Sequence, residues 1–457
     1  MGMQAFQKAF GKPLQLYAPY FCDTSDYAKN FSMVKSDTTL PGCGDMSFWD
    51  ASPEGSVQFY EFLLGLGQDY GMTMFEPDFL NANHVCVPRF IEEVGAADMF
   101  FGGQASVALA KGIPIQWCFC TPMLLMWTLQ APSVTNFRVS YDFFYGGSWD
   151  IGRSSLLVWA MGKAPSKDTF WSSDNGNQST TRGACDRKGC PPDHSTPAAV
   201  LHTALTVLST GPVGFSDAPN ETDVALLMRT CDSAGNLLQP SKPLTAIDST
   251  HDVTAGAAPT GYALVTHTEV GGGVWLREVL SHQMTSDFAL RGLDVYPPLQ
   301  PGSRYAVSTL GAVGACAAGG GGACDSGAVL TAPADAHAVV GTLPKAVVQN
   351  TTLPYTDVFS PTITLMAPVC ASGVALWGEF AKFAPISVQR FTSIACSAAG
   401  VAFGVAGNVG ETVGFAWTNT ATPATFAGSY TFTGVAGGRG AAQCEATAAG
   451  ALSCVAA

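Results

Sequence analysis

The chain has 457 residues, enough for two or three domains, with 47% hydrophobic and only 12% charged residues. That composition supports a large core and excludes global disorder. Its 22 basic against 35 acidic residues give a net charge of −13, which argues against nucleic acid or an anionic membrane as a partner, and no apolar run reaches the length of a membrane span.

Taken in order, Pro13 to Phe21 reads as a strand ending at Pro19. Asp50 or Ser52 is placed to cap a helix with Pro53 at its first position, and Val57, Tyr60, Phe62, Leu63, Leu64 and Leu66 give that helix a broad apolar face. Gly71 ends it. Met72 to Phe75 then forms a short buried strand that Pro77 must finish, because proline cannot donate a ladder hydrogen bond. Further helices are expected over Val87–Val94 and Ala105–Lys111, strands over Ile113–Cys120 and Asn136–Asp142, and a helix over Ser154–Met161. A short strand at Thr169–Ser172, a helix over Pro197–Leu208, a last strand at Val213–Phe215 and a helix over Thr222–Arg229 complete the series.

Strands alternating with helices at this spacing predict a parallel sheet with right-handed crossovers. About six such units fit between Pro13 and Arg229, against the eight of a closed (β/α)8 TIM-type barrel, so the expected fold is α/β: a partial barrel lacking its first strands. An open doubly wound sheet is the alternative. Only twelve residues precede the first strand, which leaves no room upstream in this sequence for the missing units. After Pro243 the chain turns rich in Ala, Gly, Thr and Val, and residues 256–457 hold seven of the 22 basic residues. Short alternating runs such as Tyr262–Thr268 and Ser429–Thr433 predict an all-β sandwich, with domains at 1–243 and 244–457. Gly319 to Gly322 lacks the following Lys-Ser/Thr of a phosphate loop and reads as a loop tip between Cys316 and Cys324.

Fourteen cysteines are present, and Cys185 with Cys190, Cys316 with Cys324, and Cys444 with Cys454 lie close together in loop-like sequence. None forms a paired Cys-x-x-Cys zinc site and the seven histidines are scattered, so disulfides in an oxidising compartment are expected rather than a metal centre. Sequons at Asn30, Asn177, Asn220 and Asn350 agree with an extracellular, secretory or vacuolar location, although Met1 to Lys12 has no apolar signal core.

Glu76 and Asp78 are two apart, so they share a face while the chain stays extended, at the carboxyl end of a buried parallel strand. A surface acid pair that caps the next segment is the plainer reading. Arg138, Ser140 and Asp142 likewise share one face, and a guanidinium, a hydroxyl and a carboxylate there are costly unless that face lines a wet pocket. One predicted strand lies between the two acids, which sets Asp78 and Asp142 at one barrel mouth, as splitting a glycosidic bond requires.

These motifs resemble the clan of retaining α-galactosidases and plant raffinose synthases (seed imbibition proteins). Phe75-Glu76-Pro77-Asp78-Phe79 takes the place of that family's Lys-x-Asp strand end, and Trp117-Cys118-Phe119-Cys120 that of its cysteine-rich strand. Arg138-Val139-Ser140-Tyr141-Asp142-Phe143 matches Arg-x-Ser-x-Asp-Phe, and Gly211-Pro212-Val213-Gly214-Phe215-Ser216-Asp217 matches Gly-Pro-Val-x-x-Ser-Asp. The resemblance implies a retaining glycoside hydrolase for α-linked sugars, with no cofactor and no metal, in which Asp78 is the nucleophile and Asp142 the acid/base. It departs from the family in having Glu76 where the family has a sugar-binding lysine, in Tyr141, and in lacking the large amino-terminal β domain and the first barrel strands. Galactoside specificity is therefore not implied. Arg138 is expected to bind a sugar hydroxyl or orient Asp142, or else to form an ion pair with it. Glu76 is a sugar acceptor or merely a negative neighbour. Trp49 or Trp171 is a candidate platform under a sugar ring, and Asp174 a candidate sugar contact. Trp117, Trp127 and Trp149 are read as core, Asp217 as fixing a turn, and Cys118 and Cys120 as buried thiols facing the same way. The alternative from another class is a non-catalytic saccharide-binding relative. A Ser-His-Asp hydrolase lacks its Gly-x-Ser-x-Gly elbow here.

Overall fold

The computed structural model describes residues 2–22, 24–140, 151–173, 199–248, 262–282, 284, 286–318, 327–344, 361–422, 424–435 and 437–457. They group into two compact units, 1–138 with 157–165, and 139–156 with 166–457.

The first unit is built on a five-stranded sheet of Leu14–Ala18, Met72–Pro77, Ile115–Trp117, Val134–Arg138 and Ala164–Ser166, in that spatial order. The first four strands pair in parallel. Spatial order follows chain order, so every crossover advances the same way. A doubly wound sheet would reverse at a switch point, whereas a barrel never does. The sheet is thus an arc of a (β/α) barrel. Its outer face is apolar and lies under the helices Ser56–Asp69 and Ala96–Lys111: Phe75 meets the Tyr60 ring at 6.3 Å, and the buried Trp117 indole donates to Gln104 Oε1 at 3.0 Å. The two helices pack closely because Gly103 has no side chain; a Cβ there would collide with Ser56.

Several boundaries move for identifiable reasons. The helix expected to be capped near Asp50 begins at Ser56, because Asp50 sits in the antiparallel strand Phe48–Ala51 and Ser52 Oγ instead accepts from Gly55 N–H at 3.0 Å. The helix expected over Val87–Val94 is two short ones, Leu80–Cys86 and Pro88–Glu92, with Val87 extended as a residue before proline prefers. Cys86 is tied to Cys43. The helix expected from Ala105 starts at Ala96. The strand placed at Thr169–Ser172 is Ala164–Ser166, after which Phe170 makes a single parallel bridge to Phe215, in place of a full last strand. Helices Ile151–Ala160 and Ala199–Leu208 fall where expected.

The second unit is dominated by antiparallel sheet. Six strands run in the order Ala328–Thr331, Arg304–Thr309, Thr362–Pro368, Gly273–His282, Tyr262–Val270, Thr245–Ala246, over a core that includes Val265, Val279, Tyr305 and Met366. Beyond them, the three-stranded sheet holding Val374–Gly378, Thr412–Asn419 and Ala424–Thr431 faces the four-stranded sheet of Phe391–Cys396, Gly400–Asn408, Arg439–Thr447 and Leu452–Ala456. Phe415 of the former reaches Phe403 and Phe391 of the latter at 5.2 and 5.9 Å, so the inner faces interdigitate as in a sandwich. The helices Ala199–Leu208 and Val224–Leu227 precede these sheets in the chain, and the helix Leu310–Ala318 interrupts the antiparallel pattern. Disulfides join Cys370 to Cys396 and Cys444 to Cys454, and Cys316 is also disulfide-bonded. Cys185, Cys190, Cys324 and the Gly319–Gly322 tip lie outside the described residues.

Charge is scarce in this unit, and one buried charge sits in a paired cluster. Arg390, 1% exposed, donates to Glu379 at 2.9 Å and reaches both oxygens of Glu411 at 3.0 and 2.7 Å. Replacing Arg390 by Met removes the guanidinium from both carboxylates, leaving the buried Glu379 with only Lys382 at 3.7 Å and Glu411 with the backbone N–H groups of Asn408 and Ser233. The expected loss is about 3–5 kcal/mol of stability, read by chemical denaturation.

Candidate functional site

In the parallel sheet, side chains alternate between the helix-covered face and the opposite, inner face. The registers that pair Tyr17 with Glu76 and Gln116 with Asn136 put a polar row on the inner face. Gln15 and Gln116 each donate an amide N–H to the Glu76 carboxylate, at 2.5 and 2.9 Å, and Asn136 Nδ2 donates to Gln116 Oε1 at 2.8 Å. One residue from each of four consecutive strands thus links into a chain, Gln15–Glu76–Gln116–Asn136. Glu76, for which two readings stood open, has both carboxylate oxygens engaged by neighbouring amides.

Asp78 follows the carboxyl end of the Met72–Pro77 strand and is 5% exposed. Tyr17 Oη donates to Oδ2 at 2.7 Å, the Phe79 N–H donates to Oδ1 at 2.6 Å, and the Cys118 thiol also bonds the carboxylate. Burial, and then Asp78 itself, push the Tyr17 hydroxyl up, so it stays protonated and acts as the donor. Burial likewise pushes the Cys118 and Cys120 thiols up, with the Arg138 charge opposing it, which makes them neutral side chains rather than nucleophiles. The strand ends at Trp117, and Phe119 has φ 47°, so extended geometry does not run through to Cys120. Phe79 is also left-handed, at φ 53°, and the rings of Phe79 and Phe119 stack at 5.4 Å and 15°. The Arg138 guanidinium lies 4.4 Å from the Phe119 ring centre. Asp78, Glu76 and Arg138 therefore all belong to the carboxyl-end region of one sheet, and the partners that hold Asp78 are Tyr17, Cys118 and the Phe79 N–H.

The remaining candidates are spread more widely. Trp49 is half-buried in the Phe48–Ala51 strand, with Lys35 Nζ 5.9 Å from its ring centre. Trp171 is 4% exposed, in the second unit. Nearby in that unit Asp217 accepts from the Ser172 N–H and hydroxyl at 2.7 and 2.6 Å, which pins the turn after Trp171. Trp117 is core, and Trp127 stacks on it at 5.7 Å. Asp142, Asp174 and Trp149 lie outside the described residues. Among the described residues no group of three His, Cys, Asp or Glu side chains could hold a metal ion, and no helix is long and apolar enough to cross a membrane.

Sequence reasoning passed over Gln15, Tyr17, Gln116 and Asn136. Their signal was present as polar residues at alternate positions inside short apolar strands: Gln15 and Tyr17, Asn136 and Arg138.

No protein-family model and no curated protein matches this sequence. Among solved structures, a single-residue variant of a family GH27 β-L-arabinopyranosidase from Geobacillus stearothermophilus, in complex with arabinose, aligns at 11% identity and TM-score 0.44, over 80% of this chain and 77% of that one. The wild-type form of the same enzyme aligns at 12% identity and TM-score 0.44, over 81% and 77%. A Bacillus halodurans C-125 protein, provisionally assigned as an α-N-acetylgalactosaminidase, aligns at 12% identity and TM-score 0.44, over 80% and 78%. Likeness at this level carries no functional argument, and the reading below rests on the chain's own residues.

Replacing Tyr17 by Phe removes one of the donors to the buried Asp78 carboxylate and little else. The expected cost is about 1–2 kcal/mol of stability, measured by denaturation against wild type.

Proposed function

We propose that this protein is a retaining glycoside hydrolase acting on an α-linked sugar. The observation that carries the reading is the setting of Asp78: a carboxylate past the end of a barrel strand, gripped by a phenol and a backbone N–H, beside an inner face that is polar instead of filled with aliphatic side chains. A barrel arc that only had to fold would fill that face with branched aliphatics. The match of Arg138 to Phe143 to the family's Arg-x-Ser-x-Asp-Phe motif, third of four in order, supports Asp142 as the second acid.

In the proposed reaction Asp78 attacks the anomeric carbon as the bond to the leaving oxygen breaks, and Asp142 gives its proton to that oxygen. The sugar is then held as an ester of Asp78. Asp142, now a carboxylate, takes a proton from water as the water oxygen attacks the same carbon, and Asp78 is released. Two inversions leave the configuration unchanged. Arg138, above the Phe119 ring, supplies a fixed positive charge for a sugar hydroxyl or for Asp142. Glu76 is engaged by Gln15 and Gln116, so we assign it to holding the inner row and not to the sugar. The disulfides among the described residues fit an oxidising compartment, and Asn30 and Asn220 are exposed, as acceptors for glycans on a secreted protein would be.

Hydrolysis of aryl α-glycosides tests the assignment. Asp142→Asn should lower turnover about 10²–10⁴-fold, and Asp78→Asn should abolish it. Unchanged turnover in both variants refutes the chemistry. Saccharide binding without turnover in the wild type, unaffected by Asp142→Asn, supports the non-catalytic reading instead.

A further inference from the structure

On the helix-covered side of the sheet, away from the polar inner row, the first unit carries a cleft of about 280 Å³. It opens between the helix Ala96–Lys111 and the short helix Pro122–Trp127 with the turn Thr128–Gln130 that follows it. The Trp127 indole forms part of its wall. That ring is half-buried, with one face stacked on the buried Trp117 at 5.7 Å and 14°. Its Nε1–H donates to Asp98 Oδ1 at 2.7 Å, and Gln130 Nε2 donates to the same oxygen at 3.1 Å. Both donors fall on Oδ1, and no described residue donates to Oδ2. Two turns along the helix, Ser106 Oγ donates to the Gly103 carbonyl at 3.1 Å and keeps its lone pairs for another donor. Asp98, Ser106 and Gln130 are all exposed. Between Asp98 and Ser106 sits Gly102. A Cβ there would come no nearer than 3.9 Å to the Trp127 ring, so packing does not demand glycine, yet a longer side chain would lie across the cleft.

A pyranose presents C–H groups on its flat faces and hydroxyls around its rim. Its complement is an aromatic surface with hydrogen-bond acceptors at the edge, as this cleft has. We propose that the cleft is a second saccharide-binding site, where a sugar ring lies against Trp127 and gives hydroxyl protons to Asp98 Oδ2 and Ser106 Oγ. Trp117 and Asp98 already fix the indole, so little order remains to be imposed on binding. The volume is at the low end for small-molecule sites and suits one or two sugar rings, not a long chain. An alkylammonium ion would also be drawn to a carboxylate beside an indole, but it would leave Gln130 and Ser106 unused. The inference does not depend on the chemistry proposed for Asp78.

Spectra of the full chain, ¹⁵N-labelled at tryptophan, test it directly. The Trp127 indole cross-peak is identified by its absence in Trp127→Phe. Among the methyl α- and β-pyranosides of glucose, galactose and mannose, at least one should shift that peak saturably, with a Kd on the order of 1 mM. The shift should be the same in Asp78→Asn. Gly102→Leu brings in a better helix former whose side chain covers the cleft. It should weaken the binding about tenfold or more while melting no lower than wild type. Should that variant fail to fold, Asp98→Asn takes its place and should weaken binding about fivefold, because the charged acceptor is gone. No shift with any of the six glycosides overturns the proposal. So does a shift that disappears in Asp78→Asn, one that persists undiminished in the variant with the altered cleft, or a response to tetramethylammonium alone.

Discussion

The first unit depends on one constraint: a parallel sheet buried under helices on one face must still settle every polar group it carries on the other. Here the answer is lateral. Gln15, Glu76, Gln116 and Asn136 come from four successive strands and satisfy one another across the sheet, so each strand's register is fixed by its neighbours' amides as well as by its backbone. A slip of one residue would turn this row toward the apolar helices and bring Leu16 and Phe75 to the inner side. Asp78 inherits its position from that register, because Tyr17, the residue paired with Glu76, is also the one whose hydroxyl reaches it.

How much was legible in the chain divides along the same line. Local signals located some strand ends and missed others: Pro77 closed the acid-bearing strand and alternation after Pro243 announced antiparallel sheet, whereas the strands expected to run to Cys120 and Asp142 end at Trp117 and Arg138. They misplaced elements held by distant partners. The helix Leu80–Cys86, with Asn and His at its centre, has no strong apolar period, and it is secured by Asn83 on Asp50 and by a disulfide to Cys43, a separation of 43 residues that spacing could not suggest. Gly102 and Gly103 disguised the first half of the Ala96–Lys111 helix, although Gly103 is what lets Ser56 approach. Asp78 could be singled out from its own strand. Its donors could not, since Tyr17 lies 61 residues earlier and meets it only through strand pairing.

The second unit solves the opposite problem. Its sequence is poor in charge, and several of the charges it buries are bound into fixed geometry: Arg390 between Glu379 and Glu411, and Lys382 Nζ on the carbonyls of Met228 and Cys231 at 2.7 and 2.6 Å. Such groups act as positional markers in a sandwich otherwise held by interchangeable apolar contacts, since each has few geometries that leave it satisfied. The lysine fixes the segment near residue 230 onto the sandwich from one side, and Arg439 on Asp232 at 3.1 Å from the other.

The stacked rings behind Asp78 have a mechanical consequence. From the Arg138 guanidinium the contacts run through Phe119 and Phe79 to Tyr20, at 5.6 Å, and on to Phe48, at 4.3 Å, one residue from Trp49 and two from Asp50. Two members of that column sit in a backbone conformation that side chains other than glycine avoid, at roughly 1–2 kcal/mol each. Neither turn can relax without unstacking its neighbour. The column therefore acts as a spacer: its rings occupy the gap between the rim of the sheet and the small antiparallel ribbon beside it, and a closer approach of the two would require one ring to leave.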